Sequence, residues 1–244
     1  MKKRKNPDGN KDKFFLIGLK DGIPIALGYL SVSFGFGISA ANLGIPTLAA
    51  VFMSMTNLTS AGQVAGIHII AAGGSLAEMA LTQLIINLRY ALMGLSLSQK
   101  MDHTFTMEHR MLASYGITDE VFAVAIAYPG YITPSYLYGL ILLPLLGWTT
   151  GTFLGAAAGN VLPETVNAAL GLAIYGMFTA IVLPAAKREK GVLWCSVIAA
   201  LLSCAIAYIP CFSNVTQGFS VIFCAVVAAA LMAVLFPESE KSEE

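Results

Sequence analysis

Arg89 is the residue whose position fits its chemistry least well. It lies near the centre of an apolar segment that runs from Leu76 to Ser98. A guanidinium at the centre of a membrane-spanning helix costs about 2.5 to 3.5 kcal/mol on insertion scales, so a compensating partner, expected to be anionic, or an aqueous cavity should meet it. Two interpretations stay open. Arg89 attracts the anionic group of a bound solute, or it pairs with a protein carboxylate that joins two helices.

The same segment carries other polar residues that a lipid-facing helix would not have. At about 100° per residue they fall on two stripes of a helix, so this helix should lie inside a bundle and line a cavity or contact several neighbours. Glu78 is about 16 Å from Arg89 along the axis and cannot pair with it directly. One stripe contains Glu78, Thr82, Arg89 and Ser96, and the other contains Gln83, Asn87, Tyr90 and Gly94.

Three acids are candidates for carrying a coupling proton, as intramembrane carboxylates do in many pumps. They are Glu78, Asp119 and Glu120. Each also has an ordinary structural explanation. Asp119 and Glu120 follow Thr118 as a first helical turn follows its N-cap, and Glu78 is typical of an interfacial acid at a helix start.

Polar residues also occupy the middle of the apolar segment that precedes Leu76. They are Asn57, Thr59, Ser60 and Gln63. Hydroxyl and amide groups at this depth need partners, and hydrogen bonds between helices explain them as well as contacts with a substrate do. His68, in the same segment, is expected to be a satisfied core histidine rather than a proton relay.

No motif in the chain indicates catalysis, a cofactor or a metal. It has no H-E-x-x-H, no phosphate-binding G-x-x-x-x-G-K and no G-x-S-x-G. The formal net charge is zero, which argues against a nucleic-acid partner. We therefore expect neither an enzyme nor a cofactor. Four cysteines lie in apolar sequence at spacings unlike zinc or redox sites and are expected to be packing residues: Cys195, Cys204, Cys211 and Cys224.

The elements that hold these residues are predicted to be membrane helices. The chain is 57% hydrophobic and 11% charged, against about 25% charged in a soluble domain. We predict an all-α, polytopic integral membrane protein with seven or eight transmembrane helices, some of them broken or short. Four stretches contain no Asp, Glu, Lys or Arg: Gly22–Ala77, Val121–Pro163, Thr165–Ala186 and Gly191–Pro237.

The first predicted span, Phe14–Ala40, contains Pro24 and several glycines, which predict a discontinuous helix. The polar stretch Gln99–Thr118 is expected to be a solvated loop. Val121–Tyr128 is short and is expected to cross only half of the membrane unless it is extended. The other segments are predicted at about Thr47–Ala72, Leu76–Ser98, Ser135–Ala158, Thr165–Pro184, Gly191–Ile209 and Gly218–Phe236.

The placement of charge predicts the topology. Residues 1–13 form a basic tail, residues 14–237 the transmembrane domain and residues 238–244 an acidic tail. By the positive-inside rule, the N-terminus and the loop Lys187–Lys190 are cytoplasmic. We therefore expect a multi-pass protein of the cell membrane.

Several short motifs, taken in order, carry a family resemblance that covers nearly the whole chain. They are Gly22-Ile23-Pro24, Phe34-Gly35-Phe36-Gly37, Ser60-Ala61-Gly62-Gln63, Asn87-Leu88-Arg89, Ser96-Leu97, Thr118-Asp119-Glu120 and Gly159-Asn160. The chain resembles the AzlC or YgaZ type of branched-chain amino-acid permease. The resemblance implies the large subunit of a proton-driven exporter of valine, leucine, isoleucine and sometimes methionine, assembled with a small AzlD-type membrane subunit.

The resulting hypothesis is alternating access around a midplane cavity. Arg89 attracts the substrate carboxylate, and the broken first span around Gly35 offers free backbone groups to the amino acid. A non-transporting membrane scaffold or assembly subunit, whose polar residues only join helices, is the alternative. Predicted substrate contacts are Arg89, Asn87, Gln63, Ser60 and Gly35, and predicted proton carriers are Asp119, Glu120 and Glu78.

Overall fold

The computed structural model describes residues 11–159, 189–209 and 215–235, together with Phe212 and scattered residues between 163 and 187. This part of the chain is helical and contains no β-strand. The predicted acidic tail, most of the basic tail and most of the predicted span Thr165–Pro184 lie outside the described residues. The helices are α1 (Lys11–Asn42), α2 (Thr47–Thr56), α3 (Ser60–Ala71), α4 (Leu76–Ser98), α5 (Met107–Tyr115), α6 (Asp119–Ala127), α7 (Pro134–Gly159), α8 (Lys190–Tyr208) and α9 (Gln217–Leu235).

Five of these helices are long and apolar enough to cross a membrane, namely α1, α4, α7, α8 and α9. The predicted class, an all-α membrane protein with some short or broken segments, is confirmed. The predicted count of seven or eight spans is not confirmed, since the described part has five helices of this kind. Two segments that the sequence offered as further crossings, Thr47–Ala72 and Val121–Tyr128, belong instead to short helices.

The first helix is continuous, and the predicted break in it is wrong. α1 runs unbroken through Pro24. Its glycines serve close packing against α7, because a Cβ at Gly18 would lie 2.1 Å from the carbonyl oxygen of Tyr136. At the other end, a Cβ at Gly155 would lie 2.0 Å from the carbonyl oxygen of Phe34. Small residues that let two backbones approach are a common device of membrane helix pairs.

These contacts also show that α1 and α7 run parallel, since the start of α1 meets the start of α7 and the two ends meet likewise. The side of the protein on which both helices begin is called the first face below. The side on which both end is called the second face.

Residues 47–71 form a re-entrant helical hairpin, hairpin A, rather than one span. The chain is extended at Asn57, which ends α2 (φ −147°, ψ 108°). Ile67 of α3 packs in one buried cluster with Ala50 of α2 and with Phe36 and Ala40 of α1. Because Ala40 lies near the end of α1, both arms of hairpin A lead back to the second face.

Residues 107–127 form a second hairpin, hairpin B, which enters from the first face. Its first arm starts near the beginning of α7, where His109 Nδ1 lies 2.8 Å from the hydroxyl of Tyr138. Its second arm ends beside Lys100, which donates to the carbonyl of Tyr128 (2.5 Å). Between them, Gly116 packs against Ile141. The predicted solvated loop Gln99–Thr118 is therefore wrong in its second half, which holds α5.

Candidate functional site

The two hairpins meet at their tips, beside the middle of α4. Tip A is Asn57–Thr59 and tip B is Gly116–Thr118. The hydroxyl of Tyr115, just before tip B, donates to the main-chain carbonyl of Met55, just before tip A. Helices that enter from opposite faces thus end against one another, and this is the arrangement in which discontinuous helices build solute sites in transporters.

A cavity of about 180 Å³ lies between the tips. A dry cavity of about 150 Å³ is enough for a benzene-sized solute, so this space suits a small aliphatic molecule. Its wall combines amide and hydroxyl groups with aliphatic and aromatic side chains. The lining residues are Asn57, Leu58, Thr59, Asn87, Tyr90, Ser114, Tyr115 and Ile117.

The anion that Arg89 requires is the carboxylate of Asp119, in the first turn of α6. The side chains are 41% and 37% exposed, so the pair is accessible rather than sealed. The guanidinium also lies over the ring of Tyr90, with Cζ 5.1 Å from its centre. Arg89 Nε is buried and has no hydrogen-bond partner among the described residues. Part of the donor capacity of this cation is therefore unused, and the Tyr90 ring against which it lies belongs to the cavity wall.

Glu120 lies next to this ion pair and contacts α1. The hydroxyl of Tyr29 donates to Glu120 Oε2 (2.5 Å) and lies 2.6 Å from Thr118 Oγ1. Thr118 is the N-cap of α6, as the sequence predicted, and accepts from the amide of Val121 (3.4 Å). Of the two adjacent carboxylates, Asp119 pairs with the guanidinium and Glu120 accepts from Tyr29.

A buried hydrogen-bond network fixes hairpin A against α7. Trp148 Nε1 donates to Gln63 Oε1 (2.7 Å), and Gln63 Nε2 donates to Ser54 Oγ (3.1 Å). Ser54 Oγ lies 2.7 Å from Thr152 Oγ1. Trp148 also packs edge-on against Tyr29, with ring centres 5.2 Å apart. The network of hairpin A therefore reaches Tyr29, the residue of α1 that contacts hairpin B.

A family model described as AzlC protein matches residues 24–162, which hold both hairpins and Arg89. The chain belongs to the AzlC family. It is 31% identical to the inner membrane protein YgaZ of Escherichia coli (strain K12) over 226 residues, 90% of this chain and 91% of that protein. An uncharacterized membrane protein of Archaeoglobus fulgidus is 31% identical over 180 residues, 73% of this chain and 78% of its own. No solved structure matches the chain.

In this AzlC protein, the structure brings together three of the predicted site residues, Arg89, Asp119 and Glu120, and places a fourth, Asn87, in the cavity wall. Asn87 lines the cavity and accepts from the hydroxyl of Thr59 (2.6 Å). Ser60, half-buried, begins α3 directly after tip A.

Three predicted site residues lie elsewhere or have other partners. Gln63 is 1% exposed, and its amide is engaged by Trp148 and Ser54. Gly35 is buried within the continuous α1, and its carbonyl accepts from the hydroxyl of Ser39 (3.0 Å). The free backbone group that the broken span was expected to provide is therefore not present at Gly35.

Glu78 lies at the start of α4, toward the second face, and is 3% exposed. Its Oε1 accepts from the hydroxyl of Thr216 (2.5 Å) and from the amide of Gly218 (2.8 Å), at the start of α9. A carboxylate at this position satisfies free amides and the positive end of the helix dipole. Glu78 therefore caps the first turn of α9, and its predicted role in proton coupling stays a prediction.

Sequence reasoning identified Asn57 and the two threonines of the tips but missed Leu58, Gly116 and Ile117. The tips share a pattern, since Asn57-Leu58-Thr59-Ser60 and Gly116-Ile117-Thr118-Asp119 both place an aliphatic residue before a threonine N-cap. Comparing those two tetrapeptides would have identified the internal similarity between hairpins A and B.

Proposed function

We propose that this AzlC-family chain is the large subunit of an amino-acid exporter of the cell membrane. It carries valine, leucine, isoleucine and sometimes methionine, works with a small AzlD-type membrane subunit and uses the proton gradient. The observation that carries the proposal is the cavity between two opposed hairpin tips, beside the Arg89–Asp119 ion pair. The resemblance to branched-chain amino-acid permeases supplies the substrate class.

Arg89 binds the substrate carboxylate in this proposal. A guanidinium is suited to carboxylates because its planar donors match their two oxygens. Asp119 moves partly aside, and the substrate ammonium group lies among the oxygen atoms of Asn57, Asn87 and Asp119. The C-terminal end of α2 carries a partial negative charge, which favours an ammonium group, while the N-terminal ends of α3 and α6 favour a carboxylate.

The two hairpins act as separate gates. Hairpin B closes the cavity toward the first face, which is cytoplasmic by the positive-inside rule, and hairpin A closes it toward the second face. Opening one gate while the other stays closed gives alternating access around a fixed site. The different attachments of the hairpins support this division, since hairpin A is bonded to α7 through Gln63 and Trp148, whereas hairpin B is bonded to α4 through the ion pair.

Asp119 and Glu120 carry the coupling proton. One guanidinium neutralises one of these adjacent carboxylates, so the other needs a proton or the substrate ammonium group. The proton and the substrate ammonium group compete for the same carboxylate, and this competition links substrate exit to proton entry. In Asp119→Asn/Glu120→Gln, the pH gradient should no longer drive valine transport, and retained proton coupling would overturn this assignment.

Valine counterflow in proteoliposomes that contain the full chain and the small subunit tests the proposed function. Arg89→Ala should abolish counterflow without loss of assembly, whereas Arg110→Ala, on the exposed side of α5, should behave like the unchanged protein. The internal pairing of Arg89 with Asp119 is also what a scaffold subunit would use to join helices. Absence of valine flux in every reconstitution, with normal assembly, would favour the scaffold. Flux that does not saturate would indicate a passive channel.

A further inference from the structure

Leu58 and Ile117 occupy equivalent places on the two hairpin tips. Each is the central residue of its tip, each precedes the threonine N-cap of the second arm, and each is 7% exposed. Both line the cavity, and both belong to the same buried hydrophobic cluster. The substrate cavity is thus flanked by one aliphatic side chain from each hairpin.

The remainder of the cavity wall is chemically different. Asn57, Thr59, Asn87 and Ser114 contribute amide and hydroxyl groups, and Tyr90 connects the wall to the guanidinium of Arg89. These groups suit the ammonium and carboxylate that all amino acids share, so they cannot distinguish one amino acid from another. Selection must come from apolar surface in the same cavity, because a few polar groups orient a ligand while the apolar wall measures its shape.

We propose that Leu58 and Ile117 form the side-chain subsite and determine which amino acids this protein carries. The substrate side chain lies between them, so the gate on each face contacts the same aliphatic group. The inference rests on the proposed function and deepens it, since it assigns the choice of substrate to two named residues. A space of about 180 Å³ is large enough to hold a branched aliphatic side chain between the two residues.

Changing the size of either residue should change the order of preferred substrates. A difference of one methylene in an apolar pocket changes discrimination by roughly 10- to 200-fold. Leu58→Ala and Ile117→Ala should each make phenylalanine a stronger competitor and lower the preference for valine over alanine by about tenfold or more. Leu58→Phe should act in the opposite direction, with leucine excluded before alanine.

The experiment is counterflow of labelled valine by the full chain with its small subunit, competed with unlabelled alanine, valine, leucine and phenylalanine. Leu88→Ala and Ile126→Ala serve as matched controls, because these side chains are 59% and 38% exposed and lie outside the cavity lining. They should leave the order of competitors unchanged. If an alanine variant fails to assemble, Leu58→Val and Ile117→Val provide the same comparison with a smaller change in volume.

The outcomes separate this inference from the proposed function. A new order of competitors in the Leu58 and Ile117 variants, with the control order unchanged, supports the subsite. Equal loss of flux for every amino acid, with the original order kept, overturns it and leaves the transport function standing. If the unchanged protein neither exchanges valine nor gains thermal stability with any of the four amino acids, the proposed function fails and the subsite with it.

Discussion

The hydroxyl of Tyr115 donates a hydrogen bond to the main-chain carbonyl of Met55. The two residues belong to hairpins that enter from opposite faces, so the bond joins the elements that an alternating-access carrier has to move separately. In the proposed mechanism, this bond holds both gates closed over the cavity.

Tyr115→Phe should open the gates more often. A hydrogen bond contributes about 0.5 to 1.5 kcal/mol net, so modification of a cysteine placed at Asn57 should accelerate about two- to tenfold. The measurement is the rate of reaction with a membrane-impermeant thiol reagent. Tyr131→Phe is the control, since Tyr131 is 56% exposed. An unchanged rate in Tyr115→Phe would show that this bond does not restrain the gates.

Trp148→Phe should destabilise the protein by leaving the amide oxygen of Gln63 without its donor. A buried polar group that loses its partner costs about 1 to 3 kcal/mol. The midpoint of thermal unfolding in detergent should fall clearly. Trp194→Phe is the matched control, because Trp194 is 50% exposed on α8. Equal midpoints for the two variants would contradict the proposed attachment of hairpin A to α7.

Gly155→Ala should prevent α1 and α7 from packing. Its Cβ would lie 2.0 Å from the carbonyl oxygen of Phe34, so two backbones would have to separate. The yield of monodisperse protein after solubilisation should fall severalfold. Gly28→Ala should keep a normal yield, because a Cβ at Gly28 meets nothing within 4 Å. A normal yield of Gly155→Ala would show that the parallel helix pair is not so closely packed.

Glu78 variants distinguish a cap from a proton carrier. Glu78→Gln retains an oxygen that accepts from Thr216 and Gly218, so its stability and its proton-coupled transport should remain close to those of the unchanged protein. Glu78→Ala should lose about 0.5 to 2 kcal/mol, the usual contribution of a helix cap. Glu108→Ala, at an exposed acid, is the control. Loss of proton coupling in Glu78→Gln would instead assign Glu78 to the proton path.

The sequence predicted the class of the protein and the need for an anion beside Arg89. It did not predict which anion. Asp119 was singled out for other reasons, and the two residues meet because hairpin B returns into the protein. Pairing across a re-entrant hairpin leaves no periodic trace in the sequence, since each arm is too short to show a full helical pattern.

The helix break was predicted in the first span, between Pro24 and Gly37, and is found at Asn57. A proline removes one hydrogen bond, and the remaining bonds and the packing against α7 keep α1 continuous. At tip A, the side chain of Asn57 accepts from the amide of Thr59 (3.3 Å), so the chain satisfies its own backbone outside a helix. Asn57, whose side chain bonds to the backbone two residues later, was therefore a better signal of a helix break than Pro24.

The length of the polar stretch Gln99–Thr118 concealed a helix. Its charged residues, among them Glu108 and Arg110, lie on the exposed side of α5, while Ala113 is buried against the core. A helix of nine residues is too short to show a clear periodic pattern of charged and buried positions in the sequence. The fold is needed to see that this segment enters the protein.

Protection of a cysteine by substrate tests the central claim, that amino acids bind between the hairpin tips. The four natural cysteines are replaced by alanine, and single cysteines are introduced at Ser114, in the cavity wall, and at His103, on the exposed first-face loop. Valine at saturating concentration should slow thiol modification severalfold at position 114 and leave position 103 unchanged. Equal modification rates at position 114 with and without valine, in protein that still exchanges valine, would contradict the account.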